Sequence, residues 1–158
     1  MCEKEIEDMG IGIFKRLHHI CIVVEDLEHA VKYYESVGIG PWLAYPPLDA
    51  FRDELEVPDR DGFFRLKYRY ANLDNIQIQL CEPGPGGTPQ RRFLETRGEG
   101  VYHLGFGVDD CDDAESAGLA AGLRVGARGR RVDRTGFTYF DTRDNAGVTL
   151  EVRSPTSM

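Results

Sequence analysis

The chain has 158 residues, 41% of them apolar, and 19 basic against 27 acidic side chains give a formal net charge of −8. That length allows one compact unit or two small half-domains with a real core. The acidic balance disfavours a nucleic-acid surface, and no apolar run approaches the roughly 18 residues of a membrane span. The start, Met1 to Asp8, is acidic and lacks signal-peptide character. Cys2, Cys21, Cys81 and Cys111 show no CxxC spacing. A disulfide framework or zinc ribbon is therefore unsupported, and a reduced, cytoplasmic setting is expected.

Residues 17–24 read as a strand. Asp26 caps a helix over 27–37, and Gly38 stops it. A short strand is expected near 41–45, followed by an insertion over 46–62. Segment 62–70 alternates as a strand, Asn72-Leu73-Asp74-Asn75 is turn chemistry, and 76–82 returns as the second arm of a hairpin. A Pro/Gly-rich linker, 83–89, leads into a short helix near 90–97. The order then repeats: strand 101–108, cap Asp110, helix 111–121, Gly122, a short strand near 123–127, a strand over 136–142, a turn at 143–147 and a last strand over 148–153.

The repetition is in the residues themselves. Leu17–Ile39 aligns without a gap on Val101–Leu123, with identities at His19/His103, Val24/Val108, Asp26/Asp110, Ala30/Ala114 and Gly38/Gly122. Five matches exceed the one or two that ordinary composition gives over such a length, about twenty residues. Ile76–Leu80 similarly aligns on Val148–Val152, setting Gln79 on Glu151. A period of this kind fixes architecture: two β-α-β-β-β modules, 14–83 and 99–153, joined by 84–98. The fold class is α+β, with the two half-sheets forming a cup and the helices outside.

Alternate strand residues share a face. Ile20, Ile22, Ile78, Leu104, Phe106 and Leu150 fall on the apolar parity and are expected to be buried against the helices. His19, Gln79, His103 and Glu151 fall on the opposite parity, with small or polar neighbours such as Cys21, Gly105, Thr149 and Arg153. A solvated sheet face gives the same alternation, but two symmetry-related histidines and two symmetry-related Gln/Glu positions favour a metal site. The mixed N/O donor set suits a six-coordinate divalent ion such as Co, Ni, Mn or Fe better than a closed structural zinc site, with Zn still among the candidates.

The motifs Leu17-His18-His19-Ile20, Val24-Glu25-Asp26-Leu27-Glu28-His29-Ala30, Ile78-Gln79-Leu80-Cys81-Glu82-Pro83, Arg97-Gly98-Glu99-Gly100-Val101-Tyr102-His103-Leu104-Gly105-Phe106 and Gly147-Val148-Thr149-Leu150-Glu151 resemble the vicinal oxygen chelate superfamily. That superfamily includes glyoxalase I, methylmalonyl-CoA epimerase, extradiol dioxygenases and bleomycin-resistance proteins, and the resemblance is nearest to the epimerase branch. It covers roughly Leu17 to Val152. It implies metal ligands at His19, Gln79, His103 and Glu151, two open metal positions for substrate oxygens, and an enolate-like intermediate beside a carbonyl or thioester. It also implies a homodimer and a small substrate, either an anionic carbonyl compound or an acyl-CoA.

The resemblance has one gap. The strand that opens the first hairpin carries a catalytic glutamate in many epimerases, and its place here falls at about Arg65, a poor base. Lys67 or Tyr68 would serve as catalytic group only with a shifted pKa. Arg65, Lys67 and Arg69 share a parity and either line the cup and draw in an anionic substrate or form a solvated face. Trp42 and Tyr45 either wall the substrate pocket or pack in the core. Arg124, Arg128, Arg130, Arg131 and Arg134 form either an anion site or a solvated loop. The lead reading is a metal-dependent isomerase, epimerase or lyase. An Fe(II) dioxygenase built on His19, His103 and Glu151 and a metal-free binding or resistance protein are the alternatives.

Overall fold

The computed structural model describes residues 12–155; the acidic start and Cys2 lie outside them. In chain order the elements are β1 (Leu17–Val23), α1 (Leu27–Ser36), β2 (Leu43–Ala44), a 3-10 turn (Leu48–Phe51), β3 (Glu54–Glu56), α2 (Arg60–Phe64), β4 (Lys67–Asn72), β5 (Gln77–Glu82), α3 (Pro89–Arg97), β6 (Gly100–Gly107), α4 (Cys111–Ala120), β7 (Val125–Arg130), β8 (Gly136–Phe140), α5 (Arg143–Ala146) and β9 (Thr149–Ser154). The two cap aspartates act as their sequence positions suggest. Asp26 Oδ1 accepts from His29 N at 3.1 Å, and Asp110 Oδ1 from Asp113 N at 2.9 Å.

All nine strands form one sheet in the order β2-β4-β5-β1-β6-β9-β8-β7-β3. β1 and β6 pair antiparallel at its centre, and each is flanked by a parallel partner from its own half, β5 or β9. This is the α+β cup that the repeat foretells. Its concave side is filled by Cys21, Val23, Phe51, Phe63, Tyr68, Cys81, Phe93, Tyr102 and Phe137.

Two expectations are corrected, and the insertion acquires a structure. Residues 60–64 are helical, because Asp59 caps them by accepting from Gly62 N at 3.0 Å; the strand starts only at Lys67. The insertion is built of short elements. It leaves the edge strand β2 beside β4, crosses by the 3-10 turn, and adds β3 to the opposite edge beside β7. It therefore straps one end of the sheet to the other. Finally, Ile20, Ile22, Ile78, Leu104, Phe106 and Leu150 are only half-buried. α1 packs on β4 and β5, and α4 on β8 and β9. On the outer face of central β1 and β6, Ile22 packs toward α1 and Phe106 meets Phe14, while Leu17 and Val101 stay exposed; in these strands the fully buried parity is the one that carries the histidines.

Candidate metal centre and cavity

The strand registers set the candidate ligands in two adjacent rows across the middle of the sheet. One row reads Gln77, His19, Gly105, Glu151; the next reads Gln79, Cys21, His103, Thr149. A pseudo-twofold between β1 and β6 exchanges the rows, taking His19 to His103 and Gln79 to Glu151. Each imidazole faces a small residue on the neighbouring strand, Gly105 for His19 and Cys21 for His103. The need is physical at Gly105: a Cβ there would overlap the His19 ring.

The side chains converge. His19 Nε2 lies 2.9 Å from His103 Nε2, and Glu151 reaches His103 Nε2 at 3.0 Å and His19 Nε2 at 3.6 Å. One donor atom from each of the three falls within 4.8 Å of the others, and all three residues are buried. His103 Nδ1 is a buried polar atom without a partner among the described residues, so the cluster's internal hydrogen bonds leave it unsatisfied. Two imidazole nitrogens and a carboxylate at this spacing are a donor set that fits a divalent cation.

Gln79 is 2% exposed and its amide nitrogen donates to Gln77 Oε1 at 2.8 Å; Gln77 in turn donates to Asn72 Oδ1 at 3.0 Å. This chain fixes which end of the Gln79 amide is the donor. Gln79 and Glu151 line the same cavity.

The chain continues behind His19. Arg153 Nη1 lies 3.0 Å from His18 Nε2, and His18 Nδ1 lies 2.8 Å from His19 Nδ1. A guanidinium only donates, so His18 Nε2 accepts and its proton sits on Nδ1. Burial, and then the Arg153 charge, push the His18 pKa down to about 4 and keep the ring neutral. Burial also lowers His19 against the opposing pull of Glu151. Burial opposes the charge of Glu151 as well, but His103 and then His19 hold its carboxyl well below the usual carboxylate range.

Beyond the cluster, the cavity is walled by Tyr45, Leu48, Phe51, Phe63, Tyr68, Phe137 and Tyr139, with Arg131 and Arg153 also lining it. Tyr45 and Tyr68 thus belong to the cavity. Burial, then Glu151, push Tyr45 up to about 12, and burial, then Cys81, raise Tyr68 well above its usual value. Both phenols stay protonated at neutral pH and are hydrogen-bond donors rather than bases.

The other expected site residues lie elsewhere. Lys67 is exposed and pairs with Glu82 at 3.4 Å; Arg69 pairs with Glu28 of α1 at 3.0 Å. Arg65 is exposed and donates to Pro85 O at 3.0 Å. Of the two readings of these three residues, the solvated face is the one observed, because β4 turns Tyr68 inward and its neighbours outward. Trp42 packs with Tyr34 outside the cup. Of the cavity arginines, Arg131 belongs to the run read as an anion site or a solvated loop, whereas Arg153 carries no such reading. Arg153 had a signal, since it follows Glu151 by two residues on the same face. Arg131 follows the end of β7, where parity says nothing.

Similarity to known proteins agrees with this geometry. A model of the glyoxalase/bleomycin resistance protein/dioxygenase superfamily matches residues 18–140. An ethylmalonyl-CoA/methylmalonyl-CoA epimerase of Cereibacter sphaeroides is 32% identical over 111 residues, 70% of this chain and 73% of that protein. The human mitochondrial methylmalonyl-CoA epimerase is 23% identical over 145 residues, 87% of this chain and 72% of that protein. In structure, methylmalonyl-CoA epimerase from Mycobacterium tuberculosis superposes with a TM-score of 0.66 at 22% identity, covering 90% of this chain and 89% of that one. A methylmalonyl-CoA epimerase in complex with methylmalonyl-CoA gives 0.67 at 23%, covering 89% and 94%. With its repeated halves, its paired histidines and a family match over most of its length, the chain belongs to the glyoxalase/bleomycin resistance protein/dioxygenase (vicinal oxygen chelate) superfamily, close to the epimerase branch.

Proposed function

We propose that this protein is a metal-dependent isomerase, epimerase or lyase that stabilises an enolate-like intermediate beside a carbonyl or thioester. The convergence of His19 and His103 on Glu151, which lines a cavity together with Gln79, carries the reading. These four residues would hold one divalent ion, which when bound supplies Lewis acidity at the substrate oxygen. The chain's own contributions are distinct. His18 and Gln77 orient a ligand each, and the aromatic wall excludes water. The phenols of Tyr45, Tyr68 and Tyr139 are protonated donors near the reacting atoms. Glu151 is the one carboxylate among the described residues that line the cavity; held as a ligand it would be a poor base, and it would take a proton from the carbon beside the carbonyl only when released from that role.

The relatives' names make an acyl-CoA thioester a substrate class to test, alongside small anionic carbonyl compounds. Epimerisation needs a proton removed on one face and returned on the other, and two acid/base groups serve that best. Among the described residues that line the cavity there is no second carboxylate. Methylmalonyl-CoA epimerisation is therefore expected to be slow, by about a hundredfold to ten-thousandfold relative to a site with both groups. Solvent-deuterium incorporation, followed by mass spectrometry across acyl-CoA and 2-oxo compounds, tests both statements. Metal-dependent exchange at a carbon beside a carbonyl supports the enzyme class. No exchange with any compound, with metal bound, would refute it, and rapid epimerisation of methylmalonyl-CoA would refute the assignment of a single base.

A further inference from the structure

The charge of the cavity is opposite to that of the protein. The chain as a whole is at −8, yet the residues lining the cavity include two arginines, Arg131 and Arg153, and one carboxylate, Glu151. That carboxylate is committed to the two histidines. Arg153 is 4% exposed, and its Nη1 also donates to Pro155 O at 2.6 Å, so its guanidinium is fixed in place.

Arg131 is held differently. Its guanidinium lies over the Phe51 ring of the strap, 4.5 Å from the centroid, and Nη1 donates to Thr135 Oγ1 at 3.3 Å. The nearby carboxylate of Asp133 is engaged by Thr135, accepting from its N at 3.0 Å and its Oγ1 at 2.6 Å. A planar cation stacked on an aromatic ring keeps its edge donors in a fixed plane, which suits a carboxylate. Phe51, Phe63, Phe137 and three tyrosines complete a wall that suits an apolar body. The cavity is narrow and opens to solvent, so the ligand it takes is a small one.

We propose that Arg131, with Arg153 beside it, forms an anion-binding subsite in the cavity, so that the substrate is a small carboxylate with an apolar or aromatic body. The carboxylate sits on the arginines, and the reacting carbonyl sits at the histidine cluster. This assignment rests on the cavity being the active site but not on any metal being bound. Arg131 is a specificity residue rather than a catalytic one.

Benzoate and benzamide test it, since they share shape and differ in charge. Calorimetric binding to chelator-treated wild-type protein is expected to favour benzoate by about ten- to a hundredfold, the usual worth of a charge-assisted hydrogen-bond pair. Arg131→Gln should bring the two ligands to within about twofold of each other, and Arg131→Lys should keep part of the preference. A purely structural role for Arg131 would lower the melting temperature of Arg131→Gln while leaving the preference for benzoate intact, and that result would overturn the proposal. So would a wild-type protein that binds both ligands equally. His103→Ala separates the two readings. If it abolishes metal binding but keeps the preference for benzoate, the subsite stands on its own; if wild-type protein shows the preference but takes up no metal, the metal reading fails and this one survives.

Discussion

At the scale of single residues, the site depends on one missing side chain as much as on those present. Gly105 lies beside His19 in the strand register, and its lack of a Cβ is what lets the imidazole lie across β6 toward His103 and Glu151. Gly105→Ala should push the His19 ring out of the cluster. Its expected effect on metal content is as large as that of His19→Ala, with a folded far-ultraviolet spectrum retained. Full metal occupancy in Gly105→Ala would show that the ring has another way to reach the site. The convergence of His19, His103 and Glu151 was legible in the sequence because the duplication marks these positions twice: His19 with His103, and Gln79 with Glu151, on one parity. The reason for Gly105 was not legible, since it lies in a cross-strand contact between residues 86 positions apart. Arg65, Lys67 and Arg69 were ambiguous because their face depends on where β4 begins, and the capping of 60–64 by Asp59 decides that.

At the scale of elements, the strap is the part of the fold that the repeat did not describe. Strand β3 adds to β7, and Glu54 reaches across it: Arg134 Nη1 lies 2.8 Å from Glu54 Oε2. The same network contains Arg130, 2% exposed, whose Nε lies 2.9 Å from Asp112 Oδ1 and whose Nη2 lies 2.9 Å from Thr138 Oγ1 and 3.2 Å from Glu115 Oε1. The arginine run is therefore split by role: Arg128, Arg130 and Arg134 fasten α4, β7 and the strap, Arg131 faces the cavity, and Arg124 pairs at the surface with Asp141 at 3.4 Å. Sequence could not sort them, because their carboxylates lie on other elements. Removing Arg130 empties a buried position and takes the donor from Phe137 O and Thr138 Oγ1, while Asp112 and Glu115 keep Arg134 and Arg128. Arg130→Ala should cost about 3–5 kcal/mol in urea denaturation, and Arg124→Ala about 0–1 kcal/mol. Equal losses would contradict this division.

The network also gives a pH dependence. The hydrogen bond from Arg134, against an opposing burial effect, and then that from Arg130, hold the Asp112 carboxyl below its ordinary value. A carboxylate depressed in the folded state contributes stability above its unfolded pKa and loses it as pH falls through the folded one. Asp112→Asn should therefore weaken the wild-type loss of stability below about pH 4, as read by denaturation midpoints at neutral and acid pH. An identical acid slope in the variant would show that Asp112 does not carry it.

At the scale of the whole molecule, the outer face of the central strands matters most. Leu17 and Val101 are each 42% exposed, beside half-buried Ile20, Leu104 and Phe106. The expectation that helices bury this face was drawn from its apolar parity. Parity tells apolar from polar, but it does not tell what covers the apolar side. A second copy of the chain would cover it, in line with the homodimer that the family resemblance implies. Light scattering at micromolar concentration is expected to give twice the chain mass, and Leu104→Glu is expected to return the monomer. A wild-type monomer would leave the cup intact and remove the dimer. Among the described residues no helix is long and apolar enough to cross a membrane.

The central proposal is a single cation held where His19, His103 and Glu151 converge between β1 and β6. The direct measurement is metal content per chain, by elemental mass spectrometry after loading with Co, Ni, Mn, Fe or Zn salts and removal of excess, for wild-type protein and for His103→Ala. The account predicts one tightly held divalent ion per wild-type chain and loss of most of it in His103→Ala. A wild-type protein that retains none of these ions, or a His103→Ala protein that retains a full equivalent, would contradict it.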